Sequence, residues 1–535
     1  MRPAFTTVFA LLLSCAGAAA VTRAICAECH ASIASTYSLT PMALSSGISG
    51  SIAPALKSSA VASAGFSYKA GHDQSGYFFS FEGREQGSAS AERRELPYFI
   101  GSGAAAVSFL MSVDRFLYEA PVTWYSRIGT WGLSPGYERY SYPFLTRAVV
   151  PRCLSCHASG IQAIGGTQNG YASPPFLEGG VSCERCHGAG ELHVNRMRAN
   201  HSGQSSGILN PVKLEPERRD SICAQCHLTG EVLVEKAGRE HRAFVPGENL
   251  NEYSIAFSRA RSGPVTAVTS HVEDLAQSRC KQASASRLWC GTCHNAHALP
   301  AREQKAEWFR AKCLTCHAVK NCAAKLSARN AVQDNCVTCH MPKNSAADAQ
   351  HVVSTDHSIP RSPVSKRPAA ANTLVAFEQK AITSRDLGLA YAILAVREQN
   401  TVFSGRAFEL LKDAVGKAPV DPQVLSYLAD LYKKRSDDAK AVELYRRLLQ
   451  GDPADSSAPA ALGAYAMERG NYDEAIRFWR DALRKSPALL LVRANLAVAL
   501  QRTGQTVEAR TVLNKALEFN PNFKAARDLL GKLPP

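Results

Sequence analysis

The chain has 535 residues, 45% of them hydrophobic, which excludes a mainly disordered protein and leaves room for several domains with cores of their own. Its 61 basic and 46 acidic residues give a formal charge of +15, but the basic residues are scattered and form no tract of the kind that grips nucleic acid. Seventeen cysteines are too few for a small disulfide scaffold and many for an ordinary cytosolic enzyme.

At the start of the chain, Arg2 precedes an uncharged run, Phe5–Ala20, which is short for a membrane span and suits the apolar centre of a signal peptide. Ala18-Ala19-Ala20 offers small residues for cleavage before Val21. A second reading takes Leu12-Leu13-Ser14-Cys15 as a lipoprotein box, with Cys15 lipidated and the protein held at a membrane. Both place the protein outside the cytoplasm, periplasmic or associated with the outer surface of a bacterium.

Fourteen cysteines fall into seven copies of one pentapeptide, Cys-x-x-Cys-His. The first copy is Cys26, Cys29 and His30; the second is Cys153, Cys156 and His157; the third is Cys183, Cys186 and His187. Then come Cys223, Cys226 and His227; Cys290, Cys293 and His294; Cys313, Cys316 and His317; and Cys336, Cys339 and His340. Two thiols three positions apart each add to one vinyl group of the same haem, and the next residue, His, lies under the iron as its proximal ligand. Zinc would draw cysteine pairs into four-ligand sites and leave the recurring His unexplained, as would disulfides. Seven covalent c-type haems are therefore expected. Six of them attach between Cys153 and His340, so neighbouring macrocycles must lie close and supply most of the apolar core there. Their propionates offset part of the +15 charge.

Eight histidines remain: His72, His193, His201, His241, His271, His297, His351 and His357. Seven irons beside eight spare imidazoles point to mostly bis-His coordination. His297 follows His294 by three residues and is expected to serve a haem other than its own; His193 follows His187 in the same manner. His271, His351 and His357 lie near attachment sites, whereas His201 falls in a Gly/Ser-rich stretch and is not expected to ligate. Met42 is either a thioether ligand or core filler.

Residues 31–150 carry no attachment site. Alternation in Phe66-Ser-Tyr68, Tyr77–Phe81, Val107–Met111 and Leu117–Trp124 predicts short strands, a small β-rich insert beside the first haem. The rest of the haem region is expected to be short helices and loops with little regular sheet. The first site stands far from the second in sequence and is expected to be the least crowded, a terminal centre with His72 as its local sixth ligand.

With these motifs in view, residues 24–362 resemble multihaem c-type cytochromes related to the tetrahaem cytochrome of hydroxylamine oxidation. The resemblance rests on Cys26–His30 followed by Thr40-Pro41-Met42, on Ile100–Gly103 leading to Leu133–Tyr137, and on Gly180–His187 followed by His193. It rests further on Ser270-His271 before Cys280, on Cys293-His294-Asn-Ala-His297, on His340-Met-Pro, and on His351 before Thr355-Asp-His357. It implies that His193, His271, His297, His351 and His357, with His72, are distal ligands. Ala104-Ala105-Ala106 depart from relatives that carry polar residues after Gly-Ser-Gly, so no acid–base group is expected from that loop. Cys280 and Cys322, the two further cysteines after residue 20, are expected to pair as a disulfide in an oxidising compartment.

Pro360–Pro368 reads as a linker. Beyond it Leu394, Leu428, Leu462 and Leu496 recur at a period of 34, as do Ala407, Ala441, Ala475 and Ala509, and Pro419, Pro453, Pro487 and Pro521. This is the tetratricopeptide pattern, four repeats and a capping helix over Asn522–Leu533. The expected organisation is a signal peptide at 1–20, a multihaem cytochrome domain at 21–362 with the insert at 31–150, a linker at 363–372 and a repeat domain at 373–535. The fold class is mainly α. The expected function is electron transfer, with the repeats docking a redox partner protein; the alternative is an oxidoreductase acting on a small nitrogen or sulfur compound at an open haem. The mass of the denatured protein is expected to exceed that of the processed chain by seven haems, and five or fewer would overturn the reading of the pentapeptides.

Overall fold

The computed structural model describes residues 21–52, 56–63, 66–85, 88–137, 146–199, 207–260, 271–318, 322–346, 351–361, 372–379, 381–417 and 421–534. The expected signal peptide with Cys15, His201, Pro419 and most of the linker lie outside them.

Strands dominate the insert. They are β1 (Ser46–Ile48), β2 (Ser59–Ser63), β3 (Phe66–Asp73), β4 (Gly76–Glu85), β5 (Ser88–Glu95), β6 (Tyr98–Ile100), β7 (Ala106–Val113), β8 (Phe116–Tyr125) and β9 (Thr130–Leu133). They form two antiparallel sheets, β1-β6-β7-β8-β9 and β2-β3-β4-β5. The period-two pattern explains the layering: Phe66, Tyr68 and Ala70 of β3 and Tyr77, Phe79 and Phe81 of β4 point inward, while Ser67 and Lys69 point out. Phe99, Phe109, Tyr118 and Trp131 complete this core.

The haem region holds more sheet than its sequence suggests. Strands β10 (Ala158–Ala163) and β11 (Tyr171–Gly179) pair as a hairpin. Strands β12 (Val232–Glu235) and β13 (Ser254–Arg259) pair with each other, and β13 also pairs with β16 (Leu374–Ala376), just beyond the linker. A last small pair joins β14 (Lys343–Ser345) to β15 (Val353–Thr355). The expectation of little regular sheet fails here because Val232-Leu233-Val234 and Ile255-Ala256-Phe257 are buried on both faces and show no alternation to read. Val232, Val234, Ile255 and Phe257 pack on the first repeat, against Leu389, Tyr391 and Phe403. Leu233 and Ala256 face Ala224, Phe244 and Tyr253 instead.

The C-terminal region is an array of antiparallel helix pairs: Ser384–Glu398 with Thr401–Lys417, Pro422–Lys433 with Asp438–Gly451, Ser457–Glu468 with Tyr472–Lys485, and Leu490–Arg502 with Thr506–Phe519, closed by Lys524–Lys532. The periodic residues are its contacts: Leu394, Leu428, Leu462 and Leu496 are buried, and Ala407, Ala441, Ala475 and Ala509 are fully so. Gly463 holds a small-residue position because a Cβ there would lie 2.5 Å from the Trp479 indole nitrogen.

The array is pinned to the rest of the chain at both ends. Near its start Lys236 pairs with Asp386 at 3.2 Å, the Arg385 guanidinium donates to the Glu235 carbonyl at 2.5 Å, and Arg259 pairs with Glu398. Near its end Phe519 packs on Tyr118 of β8 with ring centroids 5.6 Å apart, Lys515 pairs with Asp114 at 2.7 Å, and the Gln168 backbone N–H donates to the Lys485 carbonyl at 2.9 Å. Because Phe519 is 1% exposed and belongs to the core of the insert, Phe519→Ala is expected to cost about 3–5 kcal/mol. Hydrogen exchange should then show the insert and the last repeat losing protection together; loss confined to the repeat would show that the two are energetically independent.

Candidate functional site

Each pentapeptide sits on a short helical turn, and the turn makes the site. The His backbone N–H donates to the carbonyl of the first Cys, at 2.9 Å for His30, His187 and His294 and at 3.0 Å for His317. One turn of this kind places positions one, four and five on the same side, so both thiols and the imidazole address one ligand. For His157 the turn is tighter, with its N–H on the Leu154 carbonyl at 2.9 Å.

The spare histidines come to meet them. His193 faces His30 with ring centroids 6.3 Å apart, His297 faces His187 at 5.8 Å, His271 faces His227 at 5.3 Å, and His357 faces His294 at 6.3 Å. Given a metal–imidazole bond of about 2 Å and a ring centroid about 1 Å behind the nitrogen, two imidazoles on opposite faces of one iron have centroids about 6 Å apart. The four pairs lie at or within about 1 Å of that separation. His271 and His357 themselves lie 4.5 Å apart, too close for an iron between them, so they belong to adjacent sites.

Hydrogen bonds fix which nitrogen is presented. Nδ1 of His187 lies 2.8 Å from the Leu209 carbonyl, Nδ1 of His340 lies 3.0 Å from that of Pro360, and Nδ1 of His357 lies 2.8 Å from that of Thr355. A ring N–H on a carbonyl leaves Nε2 with its lone pair, the arrangement a metal-binding imidazole needs. Loss of surrounding water lowers the pKa of His157, His227 and His357, and lowers that of His271 to about 3 with help from His357. These rings are held neutral, the form that ligates.

The thiols of different motifs are also neighbours. Cys26 lies near Cys183, Cys156 near Cys226, Cys223 near Cys290, and Cys313 near Cys336. Other attachment thiols do not have the buried position that a core-forming cofactor suggests. Cys29, Cys153, Cys316 and Cys339 are exposed, and all fourteen motif cysteines are free thiols in the polypeptide. Cys29 differs in this from Cys26 of its own motif, which is half-buried against Cys183. The physical reason is that the chain packs no apolar cover over Cys29: Ile33 and Leu39, which follow it, are themselves exposed.

Among the described residues no three His, Cys, Asp or Glu side chains converge on one point as a bare metal ion would require. The polypeptide around the motifs is short of apolar core: among the described residues, no hydrophobic side chain between Phe257 and Val352 is buried. Leu192, Leu299 and Leu326, in the attachment segments, are exposed as Ile33 and Leu39 are. Imidazoles facing each other at four of the motifs, neighbouring thiols and an uncovered apolar lining fit c-type haem binding.

The other expected residues lie as follows. His72 is exposed near the tip of the β3–β4 hairpin, 4.8 Å from Tyr77, while the imidazole facing His30 is His193. His351 is exposed, with φ of 59°, and packs edge-on against Tyr125 at 5.1 Å. Met42 sits on the segment that touches the second motif: the Ser45 hydroxyl reaches both the Met42 carbonyl at 2.8 Å and the His157 carbonyl at 2.9 Å. His241 is buried with Nδ1 2.9 Å from the Ser254 hydroxyl and Nε2 2.7 Å from the Gln225 carbonyl, so both nitrogens are engaged within the protein. Cys280 and Cys322 are free thiols. They keep different company, Cys280 beside Cys293 and Cys313 and Cys322 beside Arg329, and the expected disulfide is not formed.

The first site is not isolated. The chain leaves it through the insert and returns to the same place: the Val181 N–H donates to the Met42 carbonyl at 2.9 Å, the Tyr37 hydroxyl donates to the Val181 carbonyl at 2.8 Å, and Arg23 pairs with Glu178. Gly180, with φ of 76°, permits this approach, since a Cβ there would lie 1.9 Å from the Ala43 carbonyl oxygen. The insert also adjoins the second motif, where the Ser45 and Ser46 hydroxyls both donate to the His157 carbonyl. These anchors join residues far apart in sequence and have no local signature.

Residues 142–188, spanning the second and third motifs, match the family described as cytochrome c554 and c-prime, which implies c-type haem binding. Residues 404–456 and 466–533 match tetratricopeptide repeat families. The chain is similar to the cellulose synthase operon protein C of Pseudomonas fluorescens, 28% identical over 131 residues, or 24% of this chain and 10% of that protein. It is also similar to the peroxisomal targeting signal receptor of Saccharomyces cerevisiae, 29% identical over 119 residues, or 22% of this chain and 19% of that protein. The chain thus spans a fifth or less of these relatives. Among solved structures it is similar to MamA, at TM-score 0.24 and 24% identity over 28% of this chain and 76% of that one. It is also similar to the second tetratricopeptide domain of human RPAP3, at TM-score 0.20 and 22% identity over 21% and 96%. A cytochrome segment joined to protein-interaction repeats fits these matches.

Replacing His297 by alanine is expected to open the sixth position of the iron held by His187, not that held by the adjacent His294. A high-spin signal should appear in the electron paramagnetic resonance (EPR) spectrum of the oxidised protein, and an unchanged spectrum would return His297 to a packing role.

Proposed function

We propose that the protein is an exported seven-haem c-type cytochrome that carries electrons, with its repeats engaging a redox partner protein. The observation that carries this reading is the set of four motif histidines that each face a second imidazole at close to the spacing of one iron. A haem iron with two imidazole ligands supplies a one-electron couple and no open coordination position. In this reading all fourteen motif cysteines, from Cys26 and Cys29 to Cys336 and Cys339, hold haem covalently. His30, His157, His187, His227, His294, His317 and His340 are proximal. His193, His297, His271 and His357 are distal to the sites they face. His72, His351 and Met42 are the ligands proposed for the other three.

The chain's own residues set the conditions for transfer. The carbonyls of Leu209, Pro360 and Thr355 orient three of the rings, and the contacts between thiols bring attachment points of different haems side by side. The repeats are protein-interaction modules, and part of their surface is taken by the chain itself: Gln423 and Tyr427 on Pro422–Lys433 lie beside Glu235 and Arg152. A partner therefore docks on what this contact leaves free.

The second reading, catalysis on a small nitrogen or sulfur compound at an open haem, draws on His157, His317 and His340, which face no second imidazole among the described residues. Carbon monoxide separates the two. The reduced protein is expected to bind none rapidly, and stoichiometric binding at one haem would favour catalysis there.

A further inference from the structure

We propose that Glu273 is a positioning residue of the His227 site: its carboxylate ties the short helix that begins at His271 to the loop just past His227, and so holds the two imidazoles face to face. The inference rests on the multihaem reading above and adds the residue that sets the geometry of one of its sites.

His271 is the first residue of the helix His271–Gln277, which has seven residues. A helix this short is not stable alone and cannot aim its own first side chain. Two positions on, Glu273 is 4% exposed, and its Oε1 accepts two consecutive backbone N–H groups, that of Thr229 at 3.1 Å and that of Gly230 at 2.6 Å. Thr229 and Gly230 follow closely on His227, which ends the helix Pro216–His227. Between His271 and Glu273, Val272 packs on the cluster that contains Ala224 and Leu228. A polar and an apolar contact thus join the two segments whose rings face each other with centroids 5.3 Å apart and planes 16° from parallel.

The receiving loop is itself fixed. Gly230 has φ of 58°, and a Cβ there would lie 2.5 Å from the Phe257 carbonyl oxygen, so glycine lets the loop press on β13. The next N–H, that of Glu231, donates to the Phe257 carbonyl at 2.8 Å, and the Glu231 carbonyl accepts from Arg397 of the first repeat at 2.7 Å. With the loop held between sheet and repeat, its two N–H groups mark a fixed place. Glu273 transmits that place to His271 through the backbone of its helix.

The need for such a tie shows in comparison with the other sites. His187, His340 and His357 are each oriented by a carbonyl at Nδ1. Nδ1 of His227 and Nδ1 of His271 are both buried and have no hydrogen-bond partner among the described residues. Their aim therefore depends on the backbone beneath them. Apolar contact alone lets segments slide, whereas a hydrogen bond weakens steeply off its distance and angle. Groups that orient metal ligands from behind also tune the metal, so a shift of the His271 helix is expected to be read at one iron.

Three substitutions in the haem-loaded full-length protein test this. His271→Ala marks the site: one low-spin signal should leave the EPR spectrum of the oxidised protein and a high-spin one appear. Glu273→Gln keeps an oxygen where Oε1 stands and is expected to leave that low-spin signal in place. Glu273→Asp keeps the carboxylate but falls a methylene short of the two N–H groups. It is expected to shift the g-values of that signal and no other, and to let the reduced protein bind carbon monoxide above the wild-type level. An unchanged Glu273→Asp spectrum, or shifts spread over several haems, would overturn the positioning role. So would the reverse order, with Glu273→Gln altered and Glu273→Asp normal, because charge and not geometry would then matter. If His271→Ala changes nothing, His271 is no ligand and the proposal falls, while a wild-type mass showing seven haems would leave the multihaem reading standing. A mass short of seven strikes at that reading itself.

Discussion

Between Phe257 and Val352 the described polypeptide buries no hydrophobic side chain, although it carries three of the seven attachment motifs. Burial of apolar surface is the main favourable term in folding, at about 25 cal/mol per Å², and ordering each backbone residue costs about 1–2 kcal/mol. A stretch of this length with no core of its own cannot meet that cost from its side chains. Under the proposed function, haems bonded to its cysteines would be the apolar mass available, and the cofactor would serve as the core. Attachment and folding would then be one event, as for small metal domains whose ligands come together only when the metal is bound.

This constraint explains why the haem region is bracketed. The insert and the repeats each have a dense core built from side chains alone, around Phe79, Phe109 and Trp131 in one and Leu428, Leu462 and Trp479 in the other. The repeats touch the cytochrome part at both ends, through the β12-β13-β16 sheet and through Phe519 on the insert. Several of the joining ions are buried: Asp386 is 2% exposed and Arg385 9%. Burial opposes the charge on Asp386, yet hydrogen bonds from Arg385 and Thr383 and the nearby Lys236 hold its pKa below the usual value. Removing one member of such a network typically costs about 3–5 kcal/mol because a charge is left buried without its partner. The repeats are thus part of the frame that holds the haem region, as well as a surface for other proteins.

What the sequence shows and what it hides follow from the range of the interactions. The pentapeptides are local chemistry on one helical turn, and the repeat period is set by neighbouring helices, so both are visible without long-range information. The spacing of Cys26 and Cys29 is legible in this way, but that Cys26 meets another motif while Cys29 is exposed depends on where residue 183 arrives. The insert's strands are visible because one face of each meets a core and the other meets solvent. Strands β12 and β13 are covered on both faces, and their apolar runs do not distinguish strand from helix. The first site looks isolated along the chain, yet Arg23, Tyr37 and Met42 meet Glu178 and Val181, so the whole insert is an excursion that returns to its starting point. His72, the nearest spare imidazole in that excursion, is carried away on a hairpin, and His193 takes the place opposite His30.

The position of His193 shows how the haem region is held as a unit. It lies six residues past His187, the histidine of another motif, and His297 likewise lies three residues past His294 and faces His187. A short stretch of chain that carries one motif histidine therefore also delivers the imidazole opposite the histidine of a different motif. No site in this series is completed by its own segment. Moving the third motif shifts the ring opposite His30, and moving the fifth shifts the ring opposite His187. The helices here are too short to hold a geometry alone: Glu184–His187 and Cys290–Cys293 are each a single turn, below the length at which an isolated helix is stable. Each of these turns lies beside other motifs on two sides, thiol near thiol and imidazole facing imidazole. In the proposed seven-haem carrier the same exchange would set the spacing of the haem sites, so the electron path and the fold would rest on one set of neighbours.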